Sequence, residues 1–188
     1  MQKDFYTPLF ELNLGPKALT LPLINRPGFE RRFQGLMSNQ QPIEILMVDD
    51  NPGDARLTKE AFKEVGLENR FHWMPDGDEA LAFLRRVGPQ ANAPRPDLIL
   101  LDLNMPRVDG RQVLAQLKAD ETLQEIPVII LTTSQAEDDV IHAYKLKANC
   151  YINKPVSLGE FIQVVQSIKH FWFILARRPS QFPTSSAA

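Results

Sequence analysis

Apolar positions along this chain alternate between two styles. Ile43-Glu44-Ile45-Leu46-Met47-Val48, Leu98-Ile99-Leu100-Leu101 and Val128-Ile129-Ile130-Leu131 are short and almost continuously hydrophobic. Strands covered on both faces read this way, because neither face alternates with solvent. Weaker strands are expected at Arg70–Met74 and Cys150–Asn153. Between the strands, apolar residues fall at steps of three and four, the helical period. Asp54–Val65 carries Ala55, Phe62 and Val65, and Asp78–Val87 carries Ala80, Leu81, Leu84 and Val87. Arg111–Lys118 carries Val113, Leu114 and Leu117; Gln135–Lys147 carries Val140, Ile141 and Tyr144. Ser157–Arg177 carries Phe161, Val165, Ile168, Trp172 and Leu175. Gly66 falls where a helix C-cap is wanted, and Gly88-Pro89 stops the second helix. Five strand–helix alternations predict an α/β fold, a doubly wound parallel sheet with helices on both faces.

Residues 1–41 show neither period and contain Pro8, Pro16, Pro22 and Pro27. They are expected to be a poorly structured extension, followed by one folded domain over 42–175 and a flexible tail over 176–188. Ala18–Ile24 is too short and broken for a signal peptide, and Asp4, Glu11 and Glu30 oppose a transit peptide. Met37, just ahead of the first clear strand, is an alternative start. Composition narrows the partners. With 21 Lys+Arg against 23 Asp+Glu, the chain lacks the basic excess of an electrostatically driven nucleic-acid binder. One cysteine, Cys150, excludes an internal disulfide framework or a multi-cysteine zinc site, and is expected to be a small buried hydrophobe. No run approaches the ~18 apolar residues of a membrane span.

In a doubly wound sheet, chemistry sits beyond the carboxyl ends of the strands, near the point where strand order reverses. The apolar runs deliver Asp49 and Asp50, then Asp102, then Thr132 to that edge, and Lys154 precedes Pro155 after the last strand. Three converging carboxylates repel one another, and a hard divalent cation resolves the conflict; a sparse carboxylate site with room for water and phosphate oxygen suits Mg²⁺. A nearby lysine offers a point charge, and a threonine hydroxyl a further donor, to a phosphoryl oxygen.

The motifs Ile-Leu-Met-Val-Asp49-Asp50-Asn-Pro, Leu-Leu-Asp102-Leu-Asn104-Met-Pro106, Leu-Thr132-Thr-Ser134 and Tyr151-Ile-Asn-Lys154-Pro155 together resemble the receiver domain of two-component response regulators, over about residues 42–170. The resemblance implies a flavodoxin-like sheet of strand order 2-1-3-4-5. It implies Asp102 as phosphoacceptor from a sensor histidine kinase, with Mg²⁺ held by Asp50, Asp102 and the Asn104 carbonyl, and by Asp49 through water. Lys154 would pair with Asp102 and then with the phosphoryl group. Thr132 would move toward that group and let Tyr151 turn inward, coupling the site to the surface of the fourth helix, fifth sheet strand and fifth helix. The Lys154–Pro155 peptide is expected to be cis. Asn51-Pro52-Gly53-Asp54, Asn69-Arg70-Phe71-His72 and Phe171-Trp172 look most like the stand-alone regulators of phytochrome-type kinases. Thr133 stands where many receivers have Ala or Gly, and the stretch from Asp50 to Asp102 is longer than in minimal receivers.

Phe171-Trp172-Phe173-Ile174-Leu175 is apolar all round, which is read as a homodimer or partner interface, with packing on the N-terminal extension as the plainer alternative. The expected function is a cytoplasmic phosphorylation switch that binds partners, catalytic only on itself, with no direct DNA binding. Two other functions compete. A haloacid-dehalogenase-like phosphatase would want a carboxylate where Asn104 stands. A phosphorylation-independent scaffold would have no need of Asp102, Thr132 and Lys154.

Overall fold

The computed structural model describes residues 42–169 except Gln135, together with the backbone of residues 9–13 and 18–22. Within the first 41 residues, β1 (Leu9–Asn13) and β2 (Ala18–Pro22) pair antiparallel, Leu9 opposite Pro22 and Asn13 opposite Ala18. The main body then runs β3 (Ile43–Val48), α1 (Pro52–Glu64), β4 (Asn69–Met74), α2 (Gly77–Arg85), β5 (Leu98–Leu101), α3 (Gly110–Ala119), β6 (Val128–Thr132), α4 (Glu137–Lys145), β7 (Cys150–Asn153) and α5 (Leu158–Lys169).

The five strands from β3 onward form a parallel sheet ordered β4-β3-β5-β6-β7, the expected 2-1-3-4-5. The continuous apolar runs are buried along their whole length in β3, β5 and β6. Alternate residues face two different layers. Leu46, Val48, Leu101 and Ile130 meet Leu81, Leu84, Val113, Leu114 and Leu117 of α2 and α3. Ile45, Met47, Leu100 and Ile129 meet Phe62 of α1 and Phe161 and Val165 of α5. Phe62 and Phe161 are fully buried, and truncating either to alanine should cost about 3–5 kcal/mol. The acid inside the first run, Glu44, is tied to the edge strand: Arg70 Nη1 lies 2.8 Å from Oε1 and His72 Nε2 2.7 Å from Oε2.

Helix ends follow local chemistry. Asn51 caps α1 by accepting from Gly53 N–H at 2.8 Å, with Pro52 in the first turn. Gly66 takes φ +63° just past its end, as expected of a C-cap glycine. The second helix stops earlier than Gly88-Pro89, because Arg86 turns left-handed at φ 56° and Gly88–Gln90 form a separate 3₁₀ turn. Asp109 and Gln112 close a capping box at the start of α3. Gly110 there admits no side chain: a Cβ would lie 1.9 Å from the Asp102 carbonyl oxygen. The loop after β5 is thereby pressed against the strand end that carries Asp102. Among the described residues no helix is long and apolar enough to cross a membrane.

Candidate functional site

Between β3 and β5 the strand order reverses, and the ends of these two strands carry Asp49 and Asp102. Backbone hydrogen bonds fix both positions, Asp49 N–H to Met74 O at 3.1 Å and Asp102 N–H to Val48 O at 2.9 Å. Asp49, Asp102 and Thr132 are buried, whereas Asp50 is exposed at the rim. One carboxylate oxygen from each of Asp49, Asp50 and Asp102 lies within 4.8 Å of the others. Lys154 enters from the end of β7. Its ammonium lies 2.7 Å from Asp102 Oδ2, 2.9 Å from Asp49 Oδ2 and 2.8 Å from Asp54 Oδ2. Burial works against this charge, but hydrogen bonds to Asp102, Asp54 and Asp49 outweigh it and hold the ammonium above its usual range.

Asp49 responds in the opposite sense. Burial pushes its carboxyl up to about 6, against the pull of Lys154 and of the Asn51 N–H. Its Oδ2 is buried and accepts no well-formed hydrogen bond, having only the ion pair with Lys154. A buried carboxylate with an under-satisfied oxygen, grouped with two further carboxylates, fits a divalent cation, and this donor set of hard oxygens is what such an ion takes.

Asn104 and Thr132 complete the rim. Asn104 donates its backbone N–H to Asp102 Oδ1 at 2.9 Å and its side-chain amide to Thr132 Oγ1 at 3.3 Å. The sequence-derived residues Asp49, Asp50, Asp102, Asn104, Thr132 and Lys154 therefore converge. The cis expectation is corrected: every peptide among the described residues is trans, Lys154–Pro155 included. Lys154 N–H bonds Thr132 O at 2.8 Å, extending the strand pairing, and the long side chain reaches Asp102 without an inverted peptide. Phe171, Trp172, Phe173 and Ile174 lie outside the described residues. Sequence reasoning assigns Asp54 no part here; an acid in a first helical turn carries no signal of a distant partner.

The pattern described as the response regulator receiver domain matches residues 45–166. Response regulator Rcp1 of Synechocystis is 45% identical over 139 residues, covering 74% of this chain and 95% of Rcp1. This chain belongs to the receiver-domain family. The probable methanogenesis regulatory protein FilR2 of Methanothrix harundinacea is 40% identical over 145 residues, 77% of this chain and 92% of FilR2. Among solved structures, the phosphorylated cyanobacterial phytochrome response regulator RcpA superposes with a TM-score of 0.68 at 47% identity, covering 74% of this chain and 99% of RcpA. The Mn²⁺-bound form of Rcp1 gives 0.67 at 45% identity, covering 73% and 99%. As a receiver, the chain takes a phosphoryl group from a histidine kinase onto an aspartate, with a divalent metal.

The receiver also shows how its site touches its surface. Ser134 N–H approaches Thr132 Oγ1 at 3.4 Å, and its carbonyl accepts from the half-buried Tyr151 hydroxyl at 2.9 Å. Ser134 Oγ donates to Asp139 Oδ2 at 2.5 Å, and Arg111 Nη2 of α3 lies 2.6 Å from Asp139 Oδ1. Arg111 and then Ser134 hold the Asp139 carboxyl below the usual carboxylate range. The start of α4 has no side-chain cap of its own at Ala136, so this cluster organises the turn between β6 and α4. Cys150 packs as expected, buried, with its thiol pushed up to about 12 by desolvation.

Proposed function

We propose that Asp102 is the phosphoacceptor of a stand-alone response regulator that serves a phytochrome-type histidine kinase. The Lys154 ammonium 2.7 Å from Asp102 Oδ2, beside two more strand-end carboxylates, carries this reading. One Asp102 oxygen forms a new O–P bond as the P–N bond of the phosphohistidine breaks. The bonding pair returns to the imidazole nitrogen, which takes a proton from water. Asp50, Asp102 and the Asn104 carbonyl would hold Mg²⁺, with Asp49 beside them; the ion supplies charge neutralisation for the phosphoryl oxygens. Lys154 and Thr132 offer further donors to those oxygens.

The new charge then biases the cluster of Thr132, Ser134, Tyr151 and Asp139, which gives the site a route to a binding surface. On this reading the protein transforms no metabolite. It acts in the cytoplasm on protein partners or on a second copy of itself, and does not bind DNA directly. The phosphatase alternative loses further support from Asn104, whose side chain is engaged with Thr132 and is no acid. Incubation with acetyl phosphate and Mg²⁺, followed by intact-mass measurement, tests the proposal. The wild type should gain one phosphoryl group, while Asp102→Asn or chelator should abolish the gain; an adduct on Asp102→Asn would refute it.

A further inference from the structure

Asp54 stands in the first turn of α1, where the free N–H groups of a helix start favour a carboxylate. That position does not account for where the side chain goes. Asn51 already caps the turn, and the Asp54 carboxylate reaches Lys154 Nζ at 2.8 Å. A lysine ammonium has three N–H groups and accepts nothing. Around Lys154 there are three carboxylates: Asp102 Oδ2 at 2.7 Å, Asp54 Oδ2 at 2.8 Å, and Asp49, whose Oδ1 accepts from the ammonium at 3.1 Å. Every donor is thus engaged, and a side chain only 5% exposed leaves little access for water to replace one. Asp102 changes chemically when it takes a phosphoryl group, and Asp49 belongs to the carboxylate trio facing the cation position. Asp54 lies outside that trio, and of the ammonium's three partners it alone meets neither fate.

We propose that Asp54 is a positioning residue for Lys154, resting on the reading of Asp102 as phosphoacceptor. Asp54 keeps hold of one N–H throughout, so that another stays aimed at the Asp102 oxygen. That second donor passes from the carboxylate oxygen to a phosphoryl oxygen as the O–P bond forms, without the ammonium turning. No proton is transferred at Lys154, and the bond broken is that between phosphorus and the phosphodonor's leaving group, imidazole nitrogen or acetate oxygen.

The test uses the full chain with saturating acetyl phosphate and Mg²⁺, following phosphoryl uptake by intact mass, with Mg²⁺ affinity measured in parallel by calorimetry. Asp54→Asn should slow uptake about tenfold, as loss of an orienting partner does, and Asp54→Glu should recover most of the rate. Mg²⁺ affinity should change less than about threefold, well short of the 10–100-fold expected for a partner that orients the metal. In a Lys154→Ala background, Asp54→Asn should change nothing further, because the effect runs through the lysine. Wild-type uptake by Asp54→Asn, the same loss in the Lys154→Ala background, or Mg²⁺ affinity falling in step with the rate would overturn the proposal. Failure of the underlying reading looks different: no adduct on the wild type, or one on Asp102→Asn.

Discussion

On one side of Asp102 lie charges: Asp49, Asp54 and Lys154, packed within ion-pair distance and largely out of solvent. On the other lie mostly neutral hydrogen bonds, from Asn104 through Thr132 and Ser134 to Tyr151, ending at the Asp139–Arg111 pair. The charged side is costly to assemble and tolerates little movement, since a displaced ion there would be left without a partner. The neutral side includes hydrogen bonds as long as 3.3 and 3.4 Å, each weak enough to exchange. A site divided in this way can keep its chemistry rigid while its readout moves.

The largest effect should come from Lys154→Ala, which strands three carboxylates. We expect a loss of about 3–5 kcal/mol in chelator at neutral pH, largely restored by Mg²⁺, in urea denaturation. Asp49→Asn should act in reverse. Its carboxyl is held at about 6 when folded, against 3.8 as the ordinary value. The folded chain therefore binds more protons between those values, and stability falls as pH rises through that window. Above it the penalty is fully present, about 2–3 kcal/mol at roughly 1.4 kcal/mol per pKa unit. Asp49→Asn should recover part of this in chelator at pH above 6 and none below 3.8. Divalent-cation binding by the wild type should weaken as pH falls through about 6, because protons compete for Asp49.

Smaller changes are expected on the neutral side. Arg111→Ala removes a half-exposed pair that joins α3 to α4 and should cost about 1 kcal/mol or less. Hydrogen exchange should nonetheless rise selectively over residues 133–139, where the Asp139 cluster orders the turn. Tyr151→Phe removes one hydrogen bond to Ser134 O and should cost about 0.5–1.5 kcal/mol. Phosphoryl uptake by this variant should remain within about twofold of wild type, because removing the hydroxyl displaces no reacting group and leaves transition-state binding intact. A Tyr151→Phe loss of uptake as large as the loss of about tenfold expected of Asp54→Asn would erase the distinction between the two sides.

Much of this arrangement is legible from sequence because burial on both faces writes itself as continuous apolar runs. Ile43–Val48, Leu98–Leu101 and Val128–Leu131 each point at the residues that follow them, and the strands deliver those residues to one edge. What escapes reading depends on distance through space. Asp54 meets Lys154 across 100 positions of chain, and Arg111 meets Asp139 across 28, so neither pair has a local period to betray it. Glu44 reads as an interruption in a strand and is instead satisfied by Arg70 and His72 on the neighbouring edge strand. A cis peptide before Pro155 follows from family resemblance alone, with no signal in the local residues. The trans chain already brings the ammonium to 2.7 Å from Asp102.

Both sides of the site take their meaning from Asp102, and no neighbouring acid, receiving the phosphoryl group. Asp49 and Asp50 each place a carboxylate oxygen within 4.8 Å of one on Asp102, so an intact-mass adduct alone does not name the acceptor. Borohydride reduction of the acetyl phosphate-treated protein converts an aspartyl phosphate to homoserine, and peptide sequencing then locates it. Homoserine is expected at position 102 alone, dependent on Mg²⁺. Homoserine at position 49, 50 or 54 with Asp102 unchanged would contradict the assignment.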